Sequence, residues 1–551
     1  MNKITTYFIF LAFALLISTQ SNGQQIKLAN SYSNDFSIGQ NSYETMQANL
    51  KINTLNKLDV QTTKGVFSEL AIPDHGFSTI EGYPKVPVFK KVIEIPYGAE
   101  CEVKIVSSQS KEYDLASLGI LHPLVPAQAP VSKADDPTAL PFAYDSQVYA
   151  QDQWLFTKPV ITENLGQMRA VNLARVEVYP VQYNPGLGKI RVLESITFKL
   201  TYRNADVSKT LELKTKLASP YFNSTYNEVC NYIPEPSDAL ITSCPATYVI
   251  VSDIMFQAAL QPFIAWKTKK GFKVIEAYTN NPAVGSTTTS IKNYLMGLYN
   301  SPAPGINPTS FVLLVGDVAQ IPTYNGTSGS HVTDLYYAEY TGNLIPEVFI
   351  GRFSATNTTQ LQPQIDKTLE YEQYLFPTEA YLGEATMVAG ADAGYITHSN
   401  GQINYGTNNY FNAAHGILSH TYLQPEPSGA NYSANIISNV SNGVGYGNYT
   451  AHCGTSGWAD PSFEISDIAG LQNASKYPLL VGNCCLSNSF QTTCFGEELL
   501  RAANKGAVGY IGASNNSYWD EDYWWGVGFK TVALNPPYTA AHLGAYDVTF
   551  H

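Results

Sequence analysis

Polar and hydrophobic residues alternate over residues 24–217, in stretches that are separated by Pro and Gly. This period of two is clearest in Glu102–Val106, Val176–Tyr183 and Ile190–Tyr202. Alternation with frequent turn residues is typical of a β-sandwich or barrel. We therefore predict an all-β module over residues 24–217, and we see no cluster of catalytic residue types within it.

A polar segment, Ala218–Cys244, follows this module and carries Pro220, Pro234 and Pro236. Exposed polar segments of this kind are preferred sites of proteolytic cleavage. We predict a linker over residues 218–244 that is open to proteases.

From residue 245 onward, short apolar runs alternate with segments that are compatible with helices. The apolar runs are Tyr248–Ser252, Phe311–Val315, Val348–Ile350, Thr386–Ala389, Gly443–Ala451, Leu479–Gly482 and Ala507–Ala513. The helical segments are Phe256–Lys270, Gln360–Tyr374 and Phe495–Ala503. This order predicts an α/β fold with a mainly parallel sheet over residues 245–551, in two subdomains that meet near residue 380. In such sheets, ligands bind beyond the carboxyl ends of the strands.

The first residues have the pattern of a secretory signal peptide. Lys3 precedes the apolar run Tyr7–Ile17, and small and polar residues follow in Ser18–Gly23. The alternative, a membrane anchor, is disfavoured because the apolar run is shorter than the roughly 20 residues that a bilayer requires. We predict a signal peptide over residues 1–23, and a protein that is secreted or displayed at the cell surface.

Composition excludes some classes of protein. Hydrophobic residues make up 44% of the 551 residues and charged residues 14%, a balance that excludes wholesale disorder. The formal net charge of −13 argues against a nucleic-acid partner. Seven cysteines are too few for a disulfide-stapled scaffold, and their odd number leaves at least one without a partner in the chain.

Two predicted strands end in residues that support nucleophilic chemistry. One reaches His452, and the other ends at Cys484 and Cys485. If these strands are adjacent and parallel, their ends lie about 5 Å apart, which allows an imidazole and a thiol to share a proton. Thiolate is the nucleophilic form of cysteine. Gly454 leaves room for a substrate to approach the backbone.

Other interpretations of these residues remain open on the pattern alone. Free cysteines are often simply buried, and a histidine can be a hydrogen-bonded core residue. A zinc site from His452, Cys453, Cys484 and Cys485 is a further alternative, although the spacing differs from that of common zinc sites.

Several segments resemble the signatures of gingipain-like cysteine peptidases, peptidase family C25. The segments are Tyr449–His452 with Trp458, Asn483–Phe490, Cys494–Ala502, Val315–Pro322 and Glu347–Ser354. The resemblance extends from about Thr247 to Trp519, with the motifs in the family's order. The module before it is similar to the family's propeptide in size, β character and position.

The resemblance implies a caspase-like α/β catalytic domain in which Cys485 is the nucleophile and His452 the acid/base. Adjacent strand residues point to opposite faces, so Cys484 is expected to pack inward. Asp392 matches a family acidic residue that orients the histidine, although a strand-end turn residue is an equal alternative.

The resemblance also implies an oxyanion hole made by the backbone N–H groups of Cys485 and Cys453, where the family has Gly in place of Cys453. Trp519 matches an aromatic wall of the substrate pocket. No cofactor is expected for the chemistry. Family members bind structural calcium, and Asp317 and Asp334 fall in the matching loops.

The best-known family members cleave after Arg or Lys and use an acidic residue at the base of the pocket. Here the matching position falls at or near Asn404, and no Asp or Glu lies between Ala393 and Gly406. Burying a cation without a carboxylate is costly. We therefore expect weak preference, or none, for Arg and Lys at the cleaved bond.

These observations predict a secreted cysteine endopeptidase that is made as a zymogen, acts on proteins or peptides, and is inhibited by its own propeptide. Cleavage within Ala218–Cys244 is expected to raise its activity. The alternative is a catalytically silent relative that serves as a surface binding or adhesion module. Family members usually continue into an immunoglobulin-like module and a C-terminal sorting domain. If such a domain belongs to this protein, the type IX secretion machinery is an expected partner.

Overall fold

The computed structural model describes residues 24–28, 34–73, 75–136, 139–234, 245–540 and 542–550. A β-rich N-terminal module precedes a C-terminal unit of parallel sheets and helices. The predicted signal peptide, residues 1–23, lies outside the described residues. Within the described part of the chain, none of the helices has the length and hydrophobicity needed to cross a membrane.

The N-terminal module consists of antiparallel strands and short helices. Its strands are β1 (Gln24–Lys27), β2 (Asp35–Asn41), β3 (Thr45–Lys51), β4 (Thr54–Thr62), β5 (Gly65–Ala71), β6 (Gly76–Phe77), β7 (Pro87–Ile95), β8 (Glu100–Asp114), β9 (Val160–Met168), β10 (Val171–Val178), β11 (Val181–Asn184) and β12 (Lys189–Arg203). The helices in and after it are α1 (Ser146–Tyr149), α2 (Val207–Leu217) and α3 (Asn223–Asn227).

These strands form sheets in the orders β1-β4-β5, β6-β7-β10-β9 and β11-β12-β3-β2, with β8 also paired to β12. Strands β8 and β12 are the longest, with 15 residues each. The β12 residues Ile190, Val192, Ile196, Phe198 and Leu200 are buried. The period of two in the sequence therefore corresponds to one face in the core and one face outside.

The C-terminal unit consists of parallel strands connected by helices. Its strands are β13 (Thr247–Ser252), β14 (Lys273–Tyr278), β15 (Thr309–Val315), β16 (Tyr324–Asn325), β17 (Val332–Thr333), β18 (Phe349–Phe353), β19 (Glu384–Ala389), β20 (Leu418–Tyr422), β21 (Tyr446–Thr450), β22 (Cys453–Gly454), β23 (Gly457–Trp458), β24 (Phe463–Glu464), β25 (Leu479–Asn483) and β26 (Gly509–Gly512). Its helices are α4 (Gln257–Lys269), α5 (Thr288–Asn300), α6 (Thr358–Glu372), α7 (Ile396–Asn409), α8 (Tyr432–Asn442), α9 (Ile465–Ile468), α10 (Phe495–Arg501), α11 (Trp519–Val527) and α12 (Ala545–Phe550).

Two parallel sheets organise this unit. The first has the order β14-β13-β15-β18, and the second has the order β20-β19-β21-β25-β26. The chain passes from one sheet to the other between Glu372 and Glu384, a passage that contains residue 380. The predicted fold class, an all-β domain followed by an α/β domain with mainly parallel sheets, is confirmed.

The N-terminal module is anchored in the C-terminal unit by Arg169. This residue forms the turn between β9 and β10, and its side chain is fully buried. The guanidinium donates hydrogen bonds to the carbonyls of Leu217, Pro308, Thr309 and Glu347 and to the hydroxyl of Ser310. Most of these acceptors lie in the loop before β15, at the beginning of β15 or just before β18. The Arg169 side chain of the β9–β10 hairpin therefore extends into the C-terminal unit.

The predicted linker is exposed only in part. Its first portion, residues 218–234, contains α3 and contributes the buried side chains of Phe222, Tyr226 and Val229 to a core shared with the first parallel sheet. The remainder, residues 235–244, lies outside the described residues. The prediction that the whole segment is exposed is therefore wrong for residues 218–234. The aromatic residues there pack against apolar surface, despite the polar residues around them.

Replacement of Arg169 by Ala is expected to destabilise the contact between module and unit by about 2–4 kcal/mol, because several buried carbonyls lose their donor. Differential scanning calorimetry of the full chain would report this as a lower midpoint. Arg175→Ala is the matched control, since Arg175 is a half-exposed arginine of the same hairpin that pairs with Glu163 and Glu177. Equal shifts for the two variants would contradict the anchoring role of Arg169.

Candidate active site

The candidate site forms where two central strands of the second sheet end. Strands β21 and β25 are adjacent and parallel, and their last paired residues are Thr450 and Asn483. His452 and Cys485 follow each of these residues by two positions, which places both at the same edge of the sheet. The buried Tyr449 hydroxyl donates to the His452 carbonyl at 2.8 Å and so fixes the backbone there.

Asp392 contacts the histidine directly. Its Oδ2 lies 2.8 Å from His452 Nε2, and its Oδ1 accepts the backbone N–H groups of Gly394 and Tyr395. A carboxylate only accepts hydrogen bonds, so Nε2 carries the proton and Nδ1 is the free nitrogen of the neutral ring. Asp392 thus closes a turn and contacts the imidazole at once, and its role in orienting the histidine stays a prediction.

Cys485 is buried and free, with 3% of its surface exposed. The Ser517 backbone N–H donates to its Sγ at 3.3 Å. Cys484, its neighbour, lies on the inward side and forms a disulfide with Cys453. The inward position predicted for Cys484 matches this placement, whereas a disulfide at this point was not predicted.

The disulfide removes the zinc interpretation, because neither Cys453 nor Cys484 retains a thiolate to offer a metal. In the described ranges, no group of three or more His, Cys, Asp or Glu side chains is arranged to hold a metal ion.

Asp317 and Asp334 do not fit the expected calcium site. Both oxygens of Asp334 accept hydrogen bonds from Arg352, at 2.8 and 2.7 Å. Asp317 accepts from Arg501 at 2.9 Å and from the Val318 N–H at 2.6 Å. Arginine neutralises each carboxylate and occupies its oxygens, and a cation would be repelled by the guanidinium groups. The assignment of these two residues to calcium is therefore corrected: they form ion pairs.

Trp519 forms one wall of the site. Its ring stacks on Tyr395 with 4.4 Å between centroids, and it meets the His452 ring edge-on at 5.3 Å. It is almost fully buried at the beginning of α11. Trp519 thus lies beside the histidine, and its role as a wall of the substrate pocket stays a prediction.

A lysine from the N-terminal module occupies the space between Trp519 and the end of β25. Lys133 Nζ lies 2.6 Å from Asp522 Oδ2, donates to the Asn483 carbonyl at 2.8 Å, and sits 5.0 Å from the Trp519 ring centre. None of the lysine side chain is exposed. Burial lowers the pKa of Lys133, and the charges of Asp522 and Cys485 oppose this shift.

The backbone around this lysine pairs with the site as a short extended strand. Lys133 N–H donates to the Ser517 carbonyl at 2.8 Å, and Trp519 N–H donates to the Val131 carbonyl at 3.2 Å. An isolated antiparallel bridge joins Ser132 and Tyr518. Addition of an extended segment to an open edge is a common way of binding peptides.

One expectation about this region is wrong. Asn404 lies on α7, and its amide donates to the Leu534 carbonyl rather than to the pocket that holds Lys133. The N-terminal module, in which we saw no cluster of catalytic residue types, contributes a single side chain here, Lys133. The acidic residue of the pocket comes from Asp522, beyond the loop in which it was sought.

The sequence pattern gave little indication of Lys133 or Asp522. Lys133 is a single lysine in an irregular segment, and Asp522 is one of three acidic residues in the first turn of α11. Asp522 follows Trp519 by three positions, so a helix beginning at Trp519 would have placed the two side chains on one face.

Comparison with known proteins identifies the family of the chain. The model of peptidase family C25 matches residues 241–544, and the model of the C25 propeptide matches residues 33–229. The chain belongs to peptidase family C25. The propeptide match coincides with the module that carries Lys133 and Arg169.

Among curated proteins, Lys-gingipain HG66 of Porphyromonas gingivalis is 36% identical over 516 residues, which cover 93% of this chain and 30% of that protein. Gingipain R1 of the same organism is 25% identical over 478 residues, or 85% of this chain and 47% of that protein. This chain therefore spans about a third to a half of the length of these relatives. A solved structure described as "Structure of Protease" is 37% identical with a TM-score of 0.53, and covers 56% of this chain and 68% of that one.

Replacing Lys133 by Ala is expected to open the pocket. A peptidyl acyloxymethyl ketone needs the space that Lys133 fills, so Cys485 of the full chain should be labelled about tenfold faster in this variant. Mass spectrometry would locate and quantify the label. Lys104→Ala, at an exposed position on β8, is the control. The same labelling rate in wild type and Lys133→Ala would contradict occlusion by this side chain.

Proposed function

We propose that this chain is the zymogen of a cysteine endopeptidase that cleaves after lysine. The observation that carries this proposal is Lys133, which enters a closed pocket beside Cys485 and pairs there with Asp522. A peptide segment that pairs with the site edge and inserts one side chain is arranged as a substrate is. The family membership supports peptide-bond hydrolysis as the chemistry.

In this proposal His452 and Cys485 act together. Nδ1 of the imidazole takes the thiol proton, and the thiolate sulfur attacks the carbonyl carbon of the bond to be cleaved. The imidazolium then gives its proton to the leaving amine, and an acyl-enzyme remains. Water, deprotonated by the same nitrogen, attacks the acyl carbon and releases Cys485 as a thiol. Asp392 keeps the ring oriented and stabilises its charged form.

Negative charge develops on the carbonyl oxygen during both attacks. We assign its stabilisation to the backbone N–H groups of Cys485 and Cys453, which lie at the ends of the two paired strands. A backbone donor is present whatever the side chain, so the cysteine in the family's glycine position keeps the donor.

The pocket supports lysine as the preferred residue. The Asp522 carboxylate and the Asn483 carbonyl both accept from the ammonium, and Trp519 offers its ring to the same charge. The relatives named Lys-gingipain are consistent with this preference. Asn404 does not line this pocket. We therefore replace the weak preference for Arg and Lys at the cleaved bond, which was expected from Asn404, by a preference for lysine.

Latency follows from the same contacts. Substrate and propeptide compete for one pocket, and Arg169 holds the module in place at a second position. Cleavage within residues 218–244 removes the covalent link, and release of Lys133 opens the site. The pattern at residues 1–23 supports export before this activation.

Replacing Cys485 or His452 by Ala in the processed protein is expected to reduce peptide hydrolysis by more than about 10³-fold, because the nucleophile or its base is lost. Asp392→Asn should reduce kcat by on the order of 10²–10⁴-fold. The control is Asp520→Asn, which alters a similar pair, His398 and Asp520 at 2.8 Å. Full activity of Cys485→Ala would contradict the assigned nucleophile, and a processed wild type no more active than Cys485→Ala would favour the silent binding module.

Replacing Asp522 by Asn is expected to lower kcat/KM for lysyl substrates by on the order of 10²-fold or more, because a buried ammonium loses its carboxylate. Cleavage of a peptide library by the wild type and the variant measures the change. Glu521→Gln, an exposed neighbour on α11, is the control. A wild-type profile without lysine enrichment, or lysine enrichment that persists in Asp522→Asn, would contradict the assigned pocket.

A further inference from the structure

The Cys453–Cys484 disulfide lies at the point where the two catalytic strands stop pairing. The ladder between β21 and β25 ends at Thr450 and Asn483, and the disulfide crosses the gap immediately after it, with 5.4 Å between the Cα atoms. Beyond the last paired residues of the two strands, each segment pairs with another part of the chain. Cys453 pairs with Trp458 across β22 and β23, and Leu486 N–H donates to the Asn515 carbonyl.

The two bonded cysteines lie at or next to the backbone donors of the proposed oxyanion hole. Cys453 carries one of the two backbone donors, and Cys484 directly precedes Cys485, which carries the other. The disulfide therefore joins the two chain segments through the residues that set the distance between the donors. In the family pattern the first position is Gly, which has no side chain that could form this link.

We propose that the Cys453–Cys484 disulfide is a positioning element of the catalytic site, which holds the two oxyanion-hole donors at the separation the transition state requires. This inference rests on the proposed function. Small displacements of such donors are costly, because their contribution depends on distances of about 2.7–3.1 Å to the developing oxyanion. A peptidase with this link should lose turnover when the disulfide is reduced, although its nucleophile is itself a thiol.

The nucleophile and the disulfide are on different sides of the strand end. The Cys484 side chain lies in the apolar cluster with Trp458 and Phe495, whereas Cys485 Sγ faces Ser517. Cys453 is half-buried, while only 1% of Cys484 is exposed. We therefore expect a small reductant to approach the bond from the Cys453 side, where the residue is less buried.

Reduction by a trialkylphosphine has a defined course. The phosphorus lone pair attacks Cys453 Sγ, the S–S bond breaks, and the Cys484 thiolate leaves and takes a proton. Water then displaces the Cys453 thiol from phosphorus, and the phosphine becomes a phosphine oxide. The protein gains two thiols and two electrons, and Cys485 is unchanged.

The first test compares wild type with the double variant Cys453→Ala/Cys484→Ala, each made as the full chain and processed identically. Two rates are measured: hydrolysis of a lysyl peptide amide, and alkylation of Cys485 by iodoacetamide. Alkylation takes place at a saturated carbon and needs no oxyanion hole. We expect kcat to fall about tenfold or more with KM nearly unchanged, while the alkylation rate changes by less than about twofold.

Cys494→Ser is the control, since it alters a buried thiol at the beginning of α10 that takes no part in the disulfide. Burial, together with the nearby Glu497 charge, raises the pKa of Cys494 to about 12, so this thiol reacts slowly with iodoacetamide. A double variant with unchanged kcat, or one in which hydrolysis and alkylation fall equally, would overturn the positioning role.

A second measurement serves if the double variant fails to fold. Phosphine is titrated into processed wild type, and mass spectrometry after alkylation counts the thiols. Turnover should decline in step with the appearance of the Cys453 and Cys484 thiols, while Cys494→Ser behaves as wild type does. Undiminished turnover after complete reduction would overturn the proposal. If wild type hydrolyses no peptide although Cys485 is alkylated, the proposed peptidase function has failed rather than this inference.

Discussion

The parallel pairing of β21 with β25 is the constraint on which the candidate site depends. Because Thr450 and Asn483 are the last paired residues, the chain segments that carry His452 and Cys485 leave the sheet at the same level. A shift of one residue in β25 would exchange Cys485 with Cys484 on the open face. The same register brings Cys453 within bonding distance of Cys484, so the candidate dyad and the disulfide are consequences of one ladder.

The second constraint is the burial of a charge. Lys133 loses all of its exposed surface, and such a loss is tolerable only where a carboxylate and a carbonyl replace the water. Asp522 and the Asn483 carbonyl meet that requirement, and both are held by the framework that carries Cys485. The module and the pocket are thus complementary in charge as well as in shape.

The sequence predicted features that depend on local pattern. Strand β12 follows from its alternation and α4 from its apolar spacing, with Gly271 after it in a left-handed conformation. Strands β14 and β20 were not predicted, because both lie at sheet edges and are largely exposed, so they lack an apolar run. His452 and Cys485 were proposed from strand-end motifs, and Asp392 and Trp519 from the family resemblance; the structure brings His452, Asp392 and Trp519 into contact. Lys133 and Asp522 were missed, because they are hundreds of positions apart and only the three-dimensional arrangement brings them together. The disulfide partner of Cys484 was missed although it is only 31 positions away, because the contact depends on the pairing of two strands.

Arg169 and Lys133 make the N-terminal module a bivalent ligand of the unit it covers. The two anchors enter different parts of that unit, one beside the first sheet and the other at the edge of the second. After one cut in the connector, each anchor still keeps the other near its pocket at a high effective concentration. The module then dissociates only when both anchors are released at the same time. The time between cleavage and release therefore depends on the anchor that dissociates more slowly and on dilution. In the proposed zymogen, the module would postpone activation after cleavage as well as block the site before it.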